Sequence, residues 1–194
     1  MGIKEKIENM SPKTKKEIKS WAVDIAIAVV LALLVLAFIK PTSVNGPSME
    51  PTFEDGDYLF ISRQSYGLFG GVPERGDVVI AKSHLSDVET NSTNINIIKR
   101  VIGVPGDTVA LKEGYVYVNG EKLEEAYLGD QGQSYGEFAD NQTYKVPENC
   151  VFLMGDNRIV SEDSRFEDVG YVPYDNIIGR VILRVFPFNK MATY

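Results

Sequence analysis

The sequence predicts a mostly β chain behind one N-terminal transmembrane helix, with an antiparallel β body that carries a small inserted β subdomain. Three observations predict it. Trp21–Ile39 is a 19-residue apolar run, and no second run of that length follows. Beyond Pro41 the apolar residues fall in short runs divided by turn signals such as Asp55-Gly56-Asp57 and Pro105-Gly106-Asp107. No long stretch with a 3.6-residue apolar period follows residue 40.

Residues 1–20 read as a cytoplasmic tail, with Lys4, Lys6, Lys13, Lys15, Lys16 and Lys19 ahead of the apolar run. Residues 21–39 read as the anchor. At 1.5 Å per residue the run spans about 28 Å, close to the roughly 30 Å bilayer core. Its one charge is Asp24, Trp21 stands where an interfacial aromatic belongs, and Lys40-Pro41 ends it. A core helix would show a polar stripe. A cleavable leader would be shorter and end in small residues, whereas this run ends Phe38-Ile39-Lys40-Pro41. Lys40 is the only basic residue between the anchor and Arg63, so the lysine excess places the N-terminus in the cytoplasm and residues 41–194 outside.

Strands are expected at Tyr58–Ser62, Asp77–Lys82, Asn96–Gly103, Thr108–Leu111, Tyr115–Val118, Cys150–Met154 and Ile177–Phe186. Asn119-Gly120 signals a hairpin. Thr90–Asn94 reads as a surface loop. Residues 41–108 and 150–194 form the expected main body. Residues 109–149 form an inserted hairpin and long loop, polar and Gly-rich around 127–136.

Composition narrows the function. The net charge is −7, made of +3 over residues 1–40 and −10 over the rest. An acidic body argues against nucleic-acid binding. One Cys, Cys150, allows no internal disulfide, and one His, His84, excludes metal sites built from several His and Cys.

Three segments could carry chemistry. Ser48 lies in Gly46-Pro47-Ser48-Met49-Glu50-Pro51-Thr52, where two prolines hold the backbone out of a helix. Read alone, this is a nucleophile loop or a juxtamembrane turn. A nucleophilic Ser needs a base. His84 sits in a polar stretch that reads as surface. Lys99 shares a strand face with Ile97 and Val101, where a charged amine is costly and a neutral one can accept a proton. Alternatively its stem lies along the sheet and the amine reaches solvent. Gly155–Arg165 packs acids, arginines and serines behind an apolar strand, so it is a hydrogen-bonded cluster if buried and a solvated loop if not.

Together these segments resemble the type I signal peptidases, membrane serine proteases with a Ser–Lys dyad. The resemblance runs from the anchor to Phe186. Its motifs are Ser48-Met49-Glu50-Pro51-Thr52, Arg75-Gly76-Asp77-Val78-Val79, Lys99 to Asp107, and Gly155-Asp156-Asn157-Arg158 with Ser161-Glu162-Asp163-Ser164-Arg165. By resemblance Ser48 is the nucleophile, Lys99 the general base and Ser161 the residue that orients the Lys amine. Asp163 and Arg165 match one supporting pair, Asp156 and Arg100 a second. Val44, Met49, Phe53, Ile97 and Ile98 match the linings of narrow pockets at −1 and −3. The implied partners are signal peptides of exported preproteins, the lipid bilayer and a nearby translocon, with no metal and no cofactor. Gly46 stands where Gram-negative members often carry a Ser that binds the oxyanion, and Val160 where Asn is frequent. One anchor, Gly46 and a small insertion resemble the Gram-positive forms. The contrasting expectation is a membrane-anchored β module that binds peptides without cleaving them, which an intact Ser48 and Lys99 disfavour. Self-cleaving repressor relatives share the Ser–Lys core but need a DNA-binding part that the 20 residues before the anchor are too short to hold.

Overall fold

The computed structural model describes residues 11–63, 66, 71–87, 92–93, 95–131 and 141–194. The expectations that fall on 1–10, on 90, 91 and 94, and on 132–140 lie outside the described residues. The chain divides into two units at Ile39/Lys40.

The first unit contains α1, Pro12–Phe38. It starts nine residues before the apolar run because Ser11 caps it: the Thr14 amide donates to Ser11 Oγ at 3.2 Å, and Pro12 occupies the first helical position. Lys13, Lys15, Lys16 and Lys19 are therefore helical and exposed. Among the described residues no helix is long and apolar enough to cross a membrane.

The second unit is antiparallel β. Its strands are β1 Ile39–Ser43, β2 Tyr58–Ser62, β3 Val78–Lys82, β4 Ser86–Asp87, β5 Ser92–Thr93, β6 Asn96–Gly103, β7 Thr108–Lys112, β8 Tyr115–Val118, β9 Glu121–Lys122, β10 Gln142–Lys145, β11 Cys150–Met154, β12 Val172–Pro173, β13 Ile177–Phe186 and β14 Ala192–Thr193. The main sheet runs β1-β2-β13-β3-β6-β11-β12, with β14 on β13. A second sheet runs β10-β7-β8-β9, and β4 pairs β5.

Central β3 reads as a continuous apolar run because both its faces are covered. Val78 and Ile80 join Leu59, Ile61 and Val181 on one side, while Val79 and Ala81 join Ile97, Val101 and Leu153 on the other. In the second sheet the pattern alternates. Val109, Leu111, Val116 and Val118 turn inward onto Phe152 and Met154. Its turns are Glu113-Gly114 and Asn119-Gly120, whose φ values of 52°, 78°, 53° and 86° are the left-handed pairs a two-residue hairpin requires. β3 and β6 pair so that Val79 lies opposite Lys99. That register brings the middle of β6 to the site.

Candidate active site

Ser48 heads a run of turns over 48–52. The Glu50 amide donates to the Pro47 carbonyl at 3.1 Å and the Phe53 amide to the Met49 carbonyl at 2.9 Å. Met49 and Phe53 are buried and hold the turn from beneath, leaving Ser48 half-buried. Gly46 has φ 83°, which a residue with a Cβ adopts only under strain, and its amide donates to Asp55 Oδ1 at 2.7 Å. A Ser at this position would meet that backbone cost.

Lys99 is 3% exposed, and its Nζ donates to Ser48 Oγ at 2.7 Å. Ile97 and Val101 lie in the apolar cluster on its face of β6. Burial dominates its titration and lowers the pKa from 10.5 to about 8, against the opposing pull of the Asp163 and Glu162 carboxylates.

Most of the 155–165 segment is buried rather than solvated, with Ile159, Val160 and Glu162 exposed. Asp163 Oδ2 accepts from Ser161 Oγ at 2.7 Å, from the Gly155 amide at 2.9 Å and from Arg165 Nη2 at 2.9 Å. Arg165 Nε donates to Asp163 Oδ1 at 2.7 Å. Two buried charges are tolerable here because each is paired and hydrogen-bonded. Asp156 receives Arg100 through two bonds of 2.8 and 2.6 Å, and Thr52 Oγ1 through one of 2.6 Å. The Asn157 amide donates to the Ser48 carbonyl at 3.0 Å. This approach needs Gly155: a Cβ there would stand 2.2 Å from Ser161 Oγ and 2.4 Å from the Ser48 carbonyl.

A groove of about 730 Å³ opens over Ser48 and Lys99. Val44, Met49, Ile97 and Ile98 line it, as do Val160 and Glu162. Phe53 does not. It packs in the core beneath, its ring 4.5 Å from that of Tyr194. His84 is exposed and lies outside the groove lining.

The structure thus gathers Ser48, Lys99, Ser161, Asp163 and Arg165 around one site and forms the Arg100–Asp156 pair beside it. The Ser161 hydroxyl is directed at Asp163, and among the described residues no hydrogen bond joins it to Lys99. Sequence reasoning passed over Thr52 as a ligand of Asp156. It also passed over Glu125, Tyr127 and Arg158, a cluster behind the 155–158 turn in which Arg158 is buried and Glu125 and Tyr127 are half-buried. For Thr52 and Arg158 the signal was present, since both lie inside motifs quoted for their neighbours.

A family model described as signal peptidase, peptidase S26, matches residues 18–186. Over 190 residues the chain is 38% identical to Signal peptidase I of Bacillus licheniformis, covering 95% of this chain and 97% of that one. It is 37% identical to Signal peptidase I T of Bacillus subtilis (strain 168), with 96% of each chain covered. It is also 37% identical to Signal peptidase IB of Staphylococcus aureus (strain COL), covering 91% of this chain and 93% of that one. A solved signal peptidase I from Enterococcus faecalis V583 aligns with a TM-score of 0.44 at 30% identity, over 56% of this chain and 96% of that one. With the family model spanning most of its residues and these relatives matched nearly end to end, the chain belongs to the signal peptidase family, peptidase S26.

Proposed function

We propose that the chain is a membrane-anchored serine endopeptidase that removes N-terminal signal peptides from exported preproteins, with Ser48 as nucleophile and Lys99 as general base. The observation that carries this reading is the 2.7 Å contact between Lys99 Nζ and Ser48 Oγ under a groove lined in part by Val44, Met49, Ile97 and Ile98. The names of the relatives, each a signal peptidase I, support the substrate class.

The preprotein lies extended in the groove. Neutral Lys99 takes the Ser48 Oγ proton as Oγ attacks the −1 carbonyl carbon. The tetrahedral oxyanion is met by the Ser48 amide, which has no other acceptor among the described residues. Collapse breaks the peptide bond, and the Lys99 ammonium returns its proton to the departing amine of the mature protein. Water, deprotonated by Lys99, then attacks the acyl-enzyme and releases the signal peptide, restoring the Ser48 hydroxyl. Asp163 pairs with Arg165 and accepts the Ser161 proton, so the Ser161 lone pairs remain available to orient Lys99 during turnover.

The anchor at 21–39 and the outward-facing body belong to the same proposal, as does the division into a main body and a 109–149 insertion. The anchor is supported by the apolar run, whose one charge is Asp24, and by α1 residues such as Trp21, Ile25, Ile27 and Leu33, which are exposed on all sides of the helix. Proximity to the translocon and to lipid follows from the anchor.

The test is incubation of the detergent-solubilised full chain with a signal-peptide-bearing precursor, with product masses measured. Wild type should cut after the signal peptide and Ser48→Ala should not. Equal cleavage by both removes Ser48 from the reaction. In the same assay Ala or Gly at −1 should be accepted and Phe rejected. Val44, Met49, Ile97 and Ile98 line the groove where the family resemblance implies narrow −1 and −3 pockets, and overfilling such a site costs about 1–3 kcal/mol even where it relaxes. Efficient cleavage after Phe would sink the small-pocket account.

A further inference from the structure

Two buried arginines grip the turn that holds the Ser48 carbonyl, and one short segment outside the site grips both arginines. Arg158 Nε donates to the Gly155 carbonyl at 3.0 Å, and its guanidinium forms a two-pronged pair with Glu125, with side-chain exposures of 3% and 9%. The Tyr127 hydroxyl donates to Glu125 Oε1 at 2.7 Å and accepts from Arg158 Nη2 at 3.4 Å. The Tyr127 ring also covers Arg100, whose guanidinium carbon lies 3.9 Å from the ring centroid. Arg100 in turn binds Asp156 and the Gly76 carbonyl. Tyr127 therefore touches both arginines, and the arginines hold residues 155 and 156 from two directions.

This turn is mechanically close to the nucleophile. The Asn157 amide is bonded to the Ser48 carbonyl, and Gly155 is packed so tightly against that carbonyl and Ser161 Oγ that a methyl group does not fit. A displacement at Gly155 passes directly to Ser48. Glu125 keeps Arg158 in place because a buried guanidinium stripped of its carboxylate must turn toward water, and its bond to the Gly155 carbonyl goes with it.

We propose that Glu125 and Tyr127 are positioning residues for the hydrolysis, holding the 155–158 turn so that Ser48 stays in register with Lys99. The inference rests on the Ser48–Lys99 reading above. Neither residue touches the groove over the dyad, so the effect belongs in kcat and not in substrate affinity.

The experiment uses the full-length detergent-solubilised protein and a signal-peptide-bearing precursor. Wild type, Ser48→Ala, Glu125→Gln and Tyr127→Leu are compared for kcat, KM and melting midpoint, with rates taken well below every midpoint. A misplacement of order 1 Å costs about 100-fold in rate, so kcat should fall by about 10- to 100-fold while KM stays within about threefold. With an Arg158→Lys single variant measured beside them, the double variant Glu125→Gln with Arg158→Lys should lose no more than the worse of its two single changes, because the two residues act as a unit, and fully additive losses overturn that coupling. Lower midpoints with full kcat would make the segment a stabiliser only and overturn the proposal. If Glu125→Gln does not fold, Tyr127→Phe carries the test. It removes one hydroxyl and keeps the ring, and an undiminished kcat overturns the proposal. A wild type that cleaves nothing overturns the dyad reading and this inference together. A cleaving wild type and a dead Ser48→Ala, beside fully active Glu125 and Tyr127 variants, overturn this inference alone.

Discussion

Lys99 can act as a base near neutral pH only because it is buried. A free Lys, with a pKa of about 10.4, is almost wholly charged at pH 7–8. Desolvation lowers that of Lys99 to about 8, and no ion pair among the described residues restores it. With Lys99 as the proposed general base the neutral amine is the reactive form, so kcat/KM should rise with pH through about 8 and level off above it. Lys99→Arg should be inactive at every pH, since a guanidinium does not deprotonate, whereas His84→Ala should follow the wild-type profile. An active Lys99→Arg enzyme, or a folded but dead His84→Ala enzyme, would overturn the dyad. Alternation along a strand put Lys99 on the face of Ile97 and Val101, but the pattern fitted an amine reaching solvent as well as a buried one. Phe53 was less legible. It lies five residues from Ser48, but spacing through a run of turns does not say which side chains point up into the groove and which down. Glu125 and Tyr127 were opaque for another reason. They are single polar residues in a polar stretch, and their partners are 33 and 31 residues away in sequence.

At the scale of elements, the turn after β11 carries the tightest constraint. Gly155→Ala would place a methyl group 2.2 Å from Ser161 Oγ and 2.4 Å from the Ser48 carbonyl, distances at which the backbone must move. The displaced groups are the turn that carries Ser48 and the Ser161 side chain. Turnover of Gly155→Ala should therefore drop by about 100-fold or more even where the protein still melts cooperatively. Wild-type turnover in that variant would show that the close approach is dispensable. The strands themselves were readable from turn residues and period, including the switch from the continuous apolar pattern of β3 to the alternating one of β7 and β8. What was not readable is instructive. β12 and β14 span two residues each, too few for any period to show. The Glu113-Gly114 turn is formed by a residue not favoured at left-handed φ, so composition did not mark it. Gly155–Arg165 matched two patterns equally, a solvated loop or a satisfied buried cluster. Only three-dimensional pairing distinguishes them, because burial of Asp163 and Arg165 depends on their finding each other.

For the whole molecule the uneven charge becomes a statement about topology. The lysines of 1–20 precede the apolar run closely enough to count in the orientation of a single span, while the acidic residues of the body contribute little to it. Lys13, Lys15, Lys16 and Lys19 are exposed on the N-terminal turns of α1, so they project from the helix at the end where they would meet a membrane surface. Cytoplasmic leaflets are anionic and hold such residues by about 1 kcal/mol each. The N-terminus should therefore stay inside and residues 41–194 should cross. Protease added to intact protoplasts should degrade the body and spare a fragment containing the tail and α1. A body protected until the membrane is broken would reverse the assignment. Charge can be separated from apolar length by changing only the four helical lysines to Gln, which leaves Trp21–Ile39 untouched. If the lysines set the orientation, the protease-resistant share of the body should grow. If it does not, the four helical lysines do not set the orientation, and the apolar run, the folding of the body or the remaining Lys4 and Lys6 govern insertion.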